Sequence, residues 1–211
     1  LHISTPAFEY PRSDQPGSLH FIGPILPEPD PAFQPPPWWS ELHGNRPTVL
    51  VNQGTVAKNL DDLIVPAIRA LENQDVLVVA VPVETGQLGD LPDHVHAEPF
   101  LCFGHLLPHV DVMVTNSGYG GTQRALAQGI PLVVAGETED KMEVAARVEW
   151  AGAGINLRRR RPSPESIREA VNEVLTNPVY RANAKRIQAD FAKYDAPTFA
   201  AELLEALAHG E

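Results

Sequence analysis

The chain has 211 residues, 43% of them apolar, which is enough to enclose a full hydrophobic core in one α/β domain with appendages. A formal net charge of −11 excludes a general affinity for nucleic acid or an anionic membrane, because both need an excess of Lys and Arg over one face. The single cysteine, Cys102, excludes an internal disulfide framework and any multi-thiolate zinc site; it reads as an inert core thiol in a cytoplasmic protein.

Residues 1–45 are turn-rich. One alternating segment over 19–23 precedes a block of prolines (Pro24, Pro27, Pro29, Pro31, Pro35, Pro36 and Pro37) that cannot be helix or central strand. This lead reads as a linker with a peripheral strand, and residues 46–211 as the compact domain. The long lead and the first residue, Leu1, make a preceding domain the expectation. No run of about 18 apolar residues occurs, so no membrane insertion is expected, and the start lacks the basic-then-apolar order of a secretion signal.

A β-branched run over 48–54 ending at Gly54 has the pattern of a buried parallel strand. Residues 60–73 follow as a helix, with Leu60, Leu63, Ile64, Ala67, Ile68 and Leu71 on one stripe and Asn59 as its cap. The alternation continues with strands at 76–81, 94–98 and 112–115, a helix at 120–128, a strand at 131–135, a helix at 140–150 and a strand at 154–157. Helices at 164–175, 178–194 and 197–208 end the chain. Strand and helix in strict succession imply parallel crossovers, hence an α/β fold built on a Rossmann-like doubly wound parallel sheet with C-terminal helices.

The segment Asn116-Ser117-Gly118-Tyr119-Gly120-Gly121-Thr122 joins the end of an apolar strand to the first turn of a helix. Its glycines let the backbone approach an anion, and the amides of a first helical turn have no partner within the helix. Such amides make a phosphate site, although glycine-rich turns that bind nothing share the composition. The spacing fits neither the dinucleotide fingerprint nor a Walker A loop.

The stretch from Val112 to Gly154 resembles the C-terminal signature of the family 1 glycosyltransferases, which include UDP-glycosyltransferases and macrolide sugar transferases. There, His-x-Gly-x-x-Ser/Thr is followed by Glu-Ala, Gly-x-Pro and Asp-Gln. Here Asn116 to Thr122, Ala125-Leu126, Gly129-Ile130-Pro131 and Asp140-Lys141 stand at matching spacings. Gln53-Gly54-Thr55 looks like the family's loop facing the donor, and 100–108 like its base-binding segment. Phe8-Glu9-Tyr10-Pro11-Arg12 and Phe21-Ile22-Gly23-Pro24 are similar to the crossover from acceptor domain to donor domain.

The resemblance implies the C-terminal half of a GT-B fold that binds a UDP- or dTDP-sugar. The donor diphosphate falls to Thr55, Asn116, Ser117, Gly118, Gly120, Gly121 and Thr122, the base to Phe100 and Leu101, and the sugar to Asp140 and Lys141. Asn116 replaces the usual histidine and keeps a donor without positive charge. Lys141 replaces Gln, and Cys102-Phe103 replaces Pro-Gln. Arg124 stands where the family commonly has a ribose-binding Glu, and a guanidinium has no acceptor lone pair.

Other readings of these residues stay open. Asp140 could merely cap its helix, Asn116 could turn the loop, and Phe100 or Phe103 could be core. His94, His96, His105 and His109 suggest packing or loop roles before a metal site, and Arg158 to Arg161 suggest a solvated basic patch. No metal or other cofactor is expected.

The implied reaction is inverting sugar transfer to a small lipophilic acceptor, with the general base on a missing N-terminal acceptor domain. No catalytic residue is assigned in this chain, and this fragment alone is expected to be inactive. The C-terminal half of a nucleotide-sugar 2-epimerase and a stand-alone nucleotide-binding module are the alternatives.

Overall fold

The computed structural model describes residues 1–82, 84–85 and 88–209. Six parallel strands form one sheet: β1 (Thr48–Asn52), β2 (Leu77–Val81), β3 (Val95–Ala97), β4 (Val112–Thr115), β5 (Leu132–Val134) and β6 (Gly154–Asn156). Their order is β3-β2-β1-β4-β5-β6, so the chain winds outward in one direction and then in the other. The reversal falls between β1 and β4, where Leu50 stands opposite Met113 and Asn52 opposite Thr115.

Alternation along these strands feeds two cores. Leu50, Val79, Met113, Leu132 and Val134 point to one face, and Val49, Val51, Val78, Val112, Val114 and Val133 to the other. On the first face, Leu126 of α3 (Tyr119–Ala127), Ala145 and Val148 of α4 (Lys141–Trp150) and Ile187 of α6 (Pro178–Phe191) complete the core. On the second, Ile64 and Leu71 of α1 (Ile64–Leu71) meet Ile167 and Val171 of α5 (Pro164–Thr176). A short α2 (Phe103–Leu106) and a terminal α7 (Ala196–His209) complete the helices among the described residues.

The helix expected over 60–73 is broken. Leu60–Asp62 is a separate 3-10 turn, Leu63 leaves the helical region at φ −149°, and α1 starts only at Ile64. Pro66 is the cause: within one continuous helix its ring would collide with the carbonyl of Asp62, whereas in the first turn of α1 it has no bond to lose.

The lead is packed onto the first face. Phe8 and Ile22 are buried, and the Phe8 ring lies edge-on to Phe191 at 6.4 Å between centroids. Over 19–23 there is only an isolated bridge between His2 and Phe21, in place of a strand. Gly23 takes φ +84° against Tyr194, where a Cβ would sit 2.4 Å from the Tyr194 Cβ, so a larger residue would lift the lead from the segment that follows α6. The proline block ends in a 3-10 helix, Pro37–His43, whose Trp38 and Trp39 pack on the core.

Candidate functional site

A cleft of about 670 Å3 opens at the carboxyl ends of β1, β2 and β4. An open parallel sheet binds ligands there because crossing connections diverge at the reversal of strand order. Its walls are the loop after β1 (Asn52 to Ala57), the 99–104 segment, the β4–α3 loop, the start of α4, and Leu26 to Asp30 of the lead.

The β4–α3 loop is the densest part. Gly118 precedes α3 without any side-chain cap. The Thr122 amide reaches the Gly118 carbonyl at 3.0 Å, so the amides of Tyr119, Gly120 and Gly121 come before the first i−4 bond of the helix. Ser117 is fully buried at φ +67°, and Glu139 across the cleft has φ +57°. Side chains with a Cβ adopt this region at a cost, and such outliers gather where a site fixes the backbone. Gly136 joins the two loops: a Cβ there would lie 2.3 Å from the Asn116 carbonyl oxygen and 3.0 Å from the Lys141 Cβ.

Nine of the eleven residues assigned to a donor line this cleft: Thr55, Asn116, Gly118, Gly120, Gly121, Phe100, Leu101, Asp140 and Lys141. Leu101 does so as a buried residue, 5% exposed. Ser117 and Thr122 lie behind the surface, fully buried, and their hydroxyls have no protein partner. Phe100 is 80% exposed, which removes the core reading for that ring. Phe103 lies on the first-face core as well as on the cleft.

Asn116 uses its Nδ2 to donate to the Gln53 carbonyl, leaving Oδ1 buried and unpartnered. Its free polar atom is therefore an acceptor. Lys141 is only 8% exposed; its Nζ donates to Thr138 Oγ1 at 3.2 Å and pairs with the Glu139 carboxylate. Asp140 is exposed and its carboxylate caps no amide of α4. Arg124 is exposed on the cleft wall, with no ion pair among the described residues.

Several expectations change. Cys102 is half-buried on the cleft wall and not in the core, standing in extended backbone just before α2. The basic run is not simply solvated: Arg160 and Arg161 both bond Asp62, at 3.0 and 2.6 Å, and Arg158 bonds Glu149 at 2.9 Å. His94 bonds the Leu71 carbonyl, His96 bonds Glu41 and stacks on Trp38, and His105 bonds the Asp30 carbonyl. Burial, with His43 nearby, holds the His109 imidazole below its ordinary value. Among the described residues no cluster of three or more His, Cys, Asp or Glu could hold a metal ion.

Two contributions were not assigned from the sequence. Gln53, which the resemblance placed in the donor-facing loop without a role, is buried and organises that loop through its side-chain bonds. The wall Leu26 to Asp30 comes from the proline block, which carries no periodic pattern to locate it.

Residues 65–207 match the family model described as erythromycin biosynthesis protein CIII-like, C-terminal domain. The chain is 50% identical over 204 residues to 4'-demethylrebeccamycin synthase of Lentzea aerocolonigenes, covering 97% of this chain and 48% of that protein. Among solved structures, the calicheamicin glycosyltransferase CalG4 superimposes with a TM-score of 0.75 at 29% identity, covering 88% of this chain and 47% of that one. Glycosyltransferase VinC in complex with dTDP gives a TM-score of 0.73 at 26% identity, covering 97% and 51%. The chain thus spans about half the length of the relatives it matches.

Proposed function

The chain belongs to the erythromycin biosynthesis protein CIII-like C-terminal domain family, and on that premise we propose that its cleft binds the nucleotide-sugar donor of an inverting glycosyltransferase. The fold is the Rossmann-like half seen in GT-B glycosyltransferases. The observation that carries the reading is the uncapped start of α3, with three amides unpaired inside the helix, at the point where the strand order reverses.

In this reading the diphosphate rests on the amides of Tyr119, Gly120 and Gly121, with Thr55 opposite and Ser117 and Thr122 shaping the loop from behind. Pre-aimed amides stabilise the charge that grows on the diphosphate as the anomeric bond breaks. Asn116 offers Oδ1, which suits a hydroxyl donor better than a phosphate. Arg124 supplies positive charge at the cleft wall. Phe100 stacks on the base, the Leu101 main chain bonds its edge, and Asp140 with Lys141 faces the sugar. The donor is a UDP- or dTDP-sugar, the acceptor is small and lipophilic, and the base that activates it comes from an acceptor domain. The reaction needs no metal, and the compartment is cytoplasmic.

Calorimetric titration with UDP, dTDP and their sugar conjugates tests this. Saturable binding at roughly millimolar concentration or below is expected, equivalent to about 4 kcal/mol or more. No heat from any of the four would end the donor reading.

A further inference from the structure

Glu9, from the lead, reaches into the body of the domain. Its carboxylate is 9% exposed as a residue and accepts from the Tyr119 hydroxyl at 2.9 Å through Oε1 and from Arg147 Nε at 2.8 Å through Oε2. His2 Nε2 lies 3.2 Å from the same Oε1. Its neighbours are anchored too: Phe8 stacks on Tyr119 at 6.3 Å, and Tyr10 lies under the Arg147 guanidinium at 5.1 Å and edge-on to Trp150 at 5.2 Å. Gln123 Nε2 adds a bond to the Ile3 carbonyl at 2.6 Å.

Tyr119 is the residue between Gly118 and Gly120; it lines the cleft, and its own amide is one of those that precede the first i−4 bond of α3. The side chain held by Glu9 therefore belongs to the residue whose main chain forms the anion site. Arg147, the other partner, lies on α4, which begins with Lys141 at the opposite wall. One carboxylate thus sets the first turn of α3 against α4.

The protonation states suit the tie. Burial alone would raise the Glu9 carboxyl, but the bonds from Arg147, Tyr119 and His2 outweigh it and hold the group below its ordinary value. Burial pushes the Tyr119 phenol up to about 12, so at neutral pH it donates to a charged carboxylate.

We propose that Glu9 is a positioning residue that couples the lead to the donor loop, so that docking of residues 2–10 and occupancy of the diphosphate site favour each other. The proposal rests on the donor reading above. Coupling of this kind is reciprocal: whatever the docked lead adds to diphosphate affinity, the diphosphate adds to docking of the lead.

The test uses the 211-residue chain and two variants, Glu9→Gln and Tyr119→Phe. Tyr119→Phe keeps the ring on Phe8 and removes only the hydroxyl, so it serves even if Glu9→Gln folds poorly. Affinity for UDP and dTDP should fall roughly tenfold in each variant, within the usual range of coupling between sites, while uridine and thymidine bind as before. Saturating nucleotide should also slow amide exchange over residues 2–10 in the parent chain, and much less in Tyr119→Phe. A folding defect alone would weaken nucleosides and nucleotides alike and would overturn the proposal. So would unchanged nucleotide affinity together with unchanged exchange. Failure of the parent chain to bind either nucleotide would overturn the donor reading and this proposal with it, whereas binding that ignores both substitutions would overturn only this one.

Discussion

The loops after β1 and β4 lie side by side at the end of the sheet and treat their polar groups in opposite ways. In the first, Gln53 Nε2 donates to the carbonyls of Ala57 and Asn59 at 2.9 and 3.1 Å, and its Oε1 accepts from the Ile64 amide at 3.3 Å. Its own carbonyl takes Asn116 Nδ2, and Asn52 Oδ1 takes the Gly54 amide at 2.9 Å. In the second, Asn116 Oδ1, Ser117 Oγ and Thr122 Oγ1 are buried without a protein partner. A buried polar group left unpaired costs on the order of 1–3 kcal/mol, so these three groups lower the stability of the β4–α3 turn and the first turn of α3. In the proposed reading, Asn52 and Gln53 of the first loop are scaffold, and the β4–α3 turn is what they hold in place.

The largest expected effect comes from breaking the scaffold side. Gln53→Leu keeps much of the volume but strands the Ile64 amide and the Ala57 and Asn59 carbonyls, and should lower unfolding free energy by about 3 kcal/mol. Urea denaturation measures it. A loss below about 1 kcal/mol would mean that water replaces these bonds freely, and the contrast between the loops would disappear.

The other side of the comparison predicts a change of opposite sign. Ser117→Gly removes both the left-handed strain and an unpaired buried hydroxyl, against the added chain entropy of glycine. The net is a gain of about 1 kcal/mol in the same denaturation experiment. A loss of stability would show that Ser117 is paired in solution and that the loop is ordinary scaffold.

This contrast also separates what the sequence makes legible from what it hides. The positions of the strands follow from β-branched runs alternating with helical stripes, because burial on both faces forces Val49 to Val51, Val78 to Ala80 and Val112 to Val114 to be apolar throughout. The start of α3 was equally readable, since glycines before a helix are a local signal. The broken helix at 60–73 was readable in principle from Pro66, whose ring fixes where α1 can begin. The engagement of Glu9 with Tyr119 and Arg147 was not, because it joins residues separated by 110 and 138 positions and leaves no periodic trace. For the same reason, the orientation of Asn116 depended on the Gln53 carbonyl and could not be taken from its place in a motif.

The loop after β5 offers the finest test. Asp140 occupies the residue before α4, as Ser163 does before α5, and the two positions differ in what the side chain does. Ser163 Oγ accepts from the Ser166 amide at 3.3 Å and caps its helix. Asp140 has αR backbone angles, φ −83° and ψ −4°, and bonds no amide of α4, so only its charge near the helix start contributes. Ser163→Ala should therefore cost about 1 kcal/mol, while Asp140→Ala should cost no more than about 0.5 kcal/mol. If Asp140 is kept for the donor sugar, the same Asp140→Ala variant should weaken UDP- and dTDP-sugars more than UDP and dTDP in calorimetry. A stability loss equal to that of Ser163→Ala, with both ligand classes weakened alike, would place Asp140 with the scaffold and leave sugar recognition to Lys141 and the free Oδ1 of Asn116.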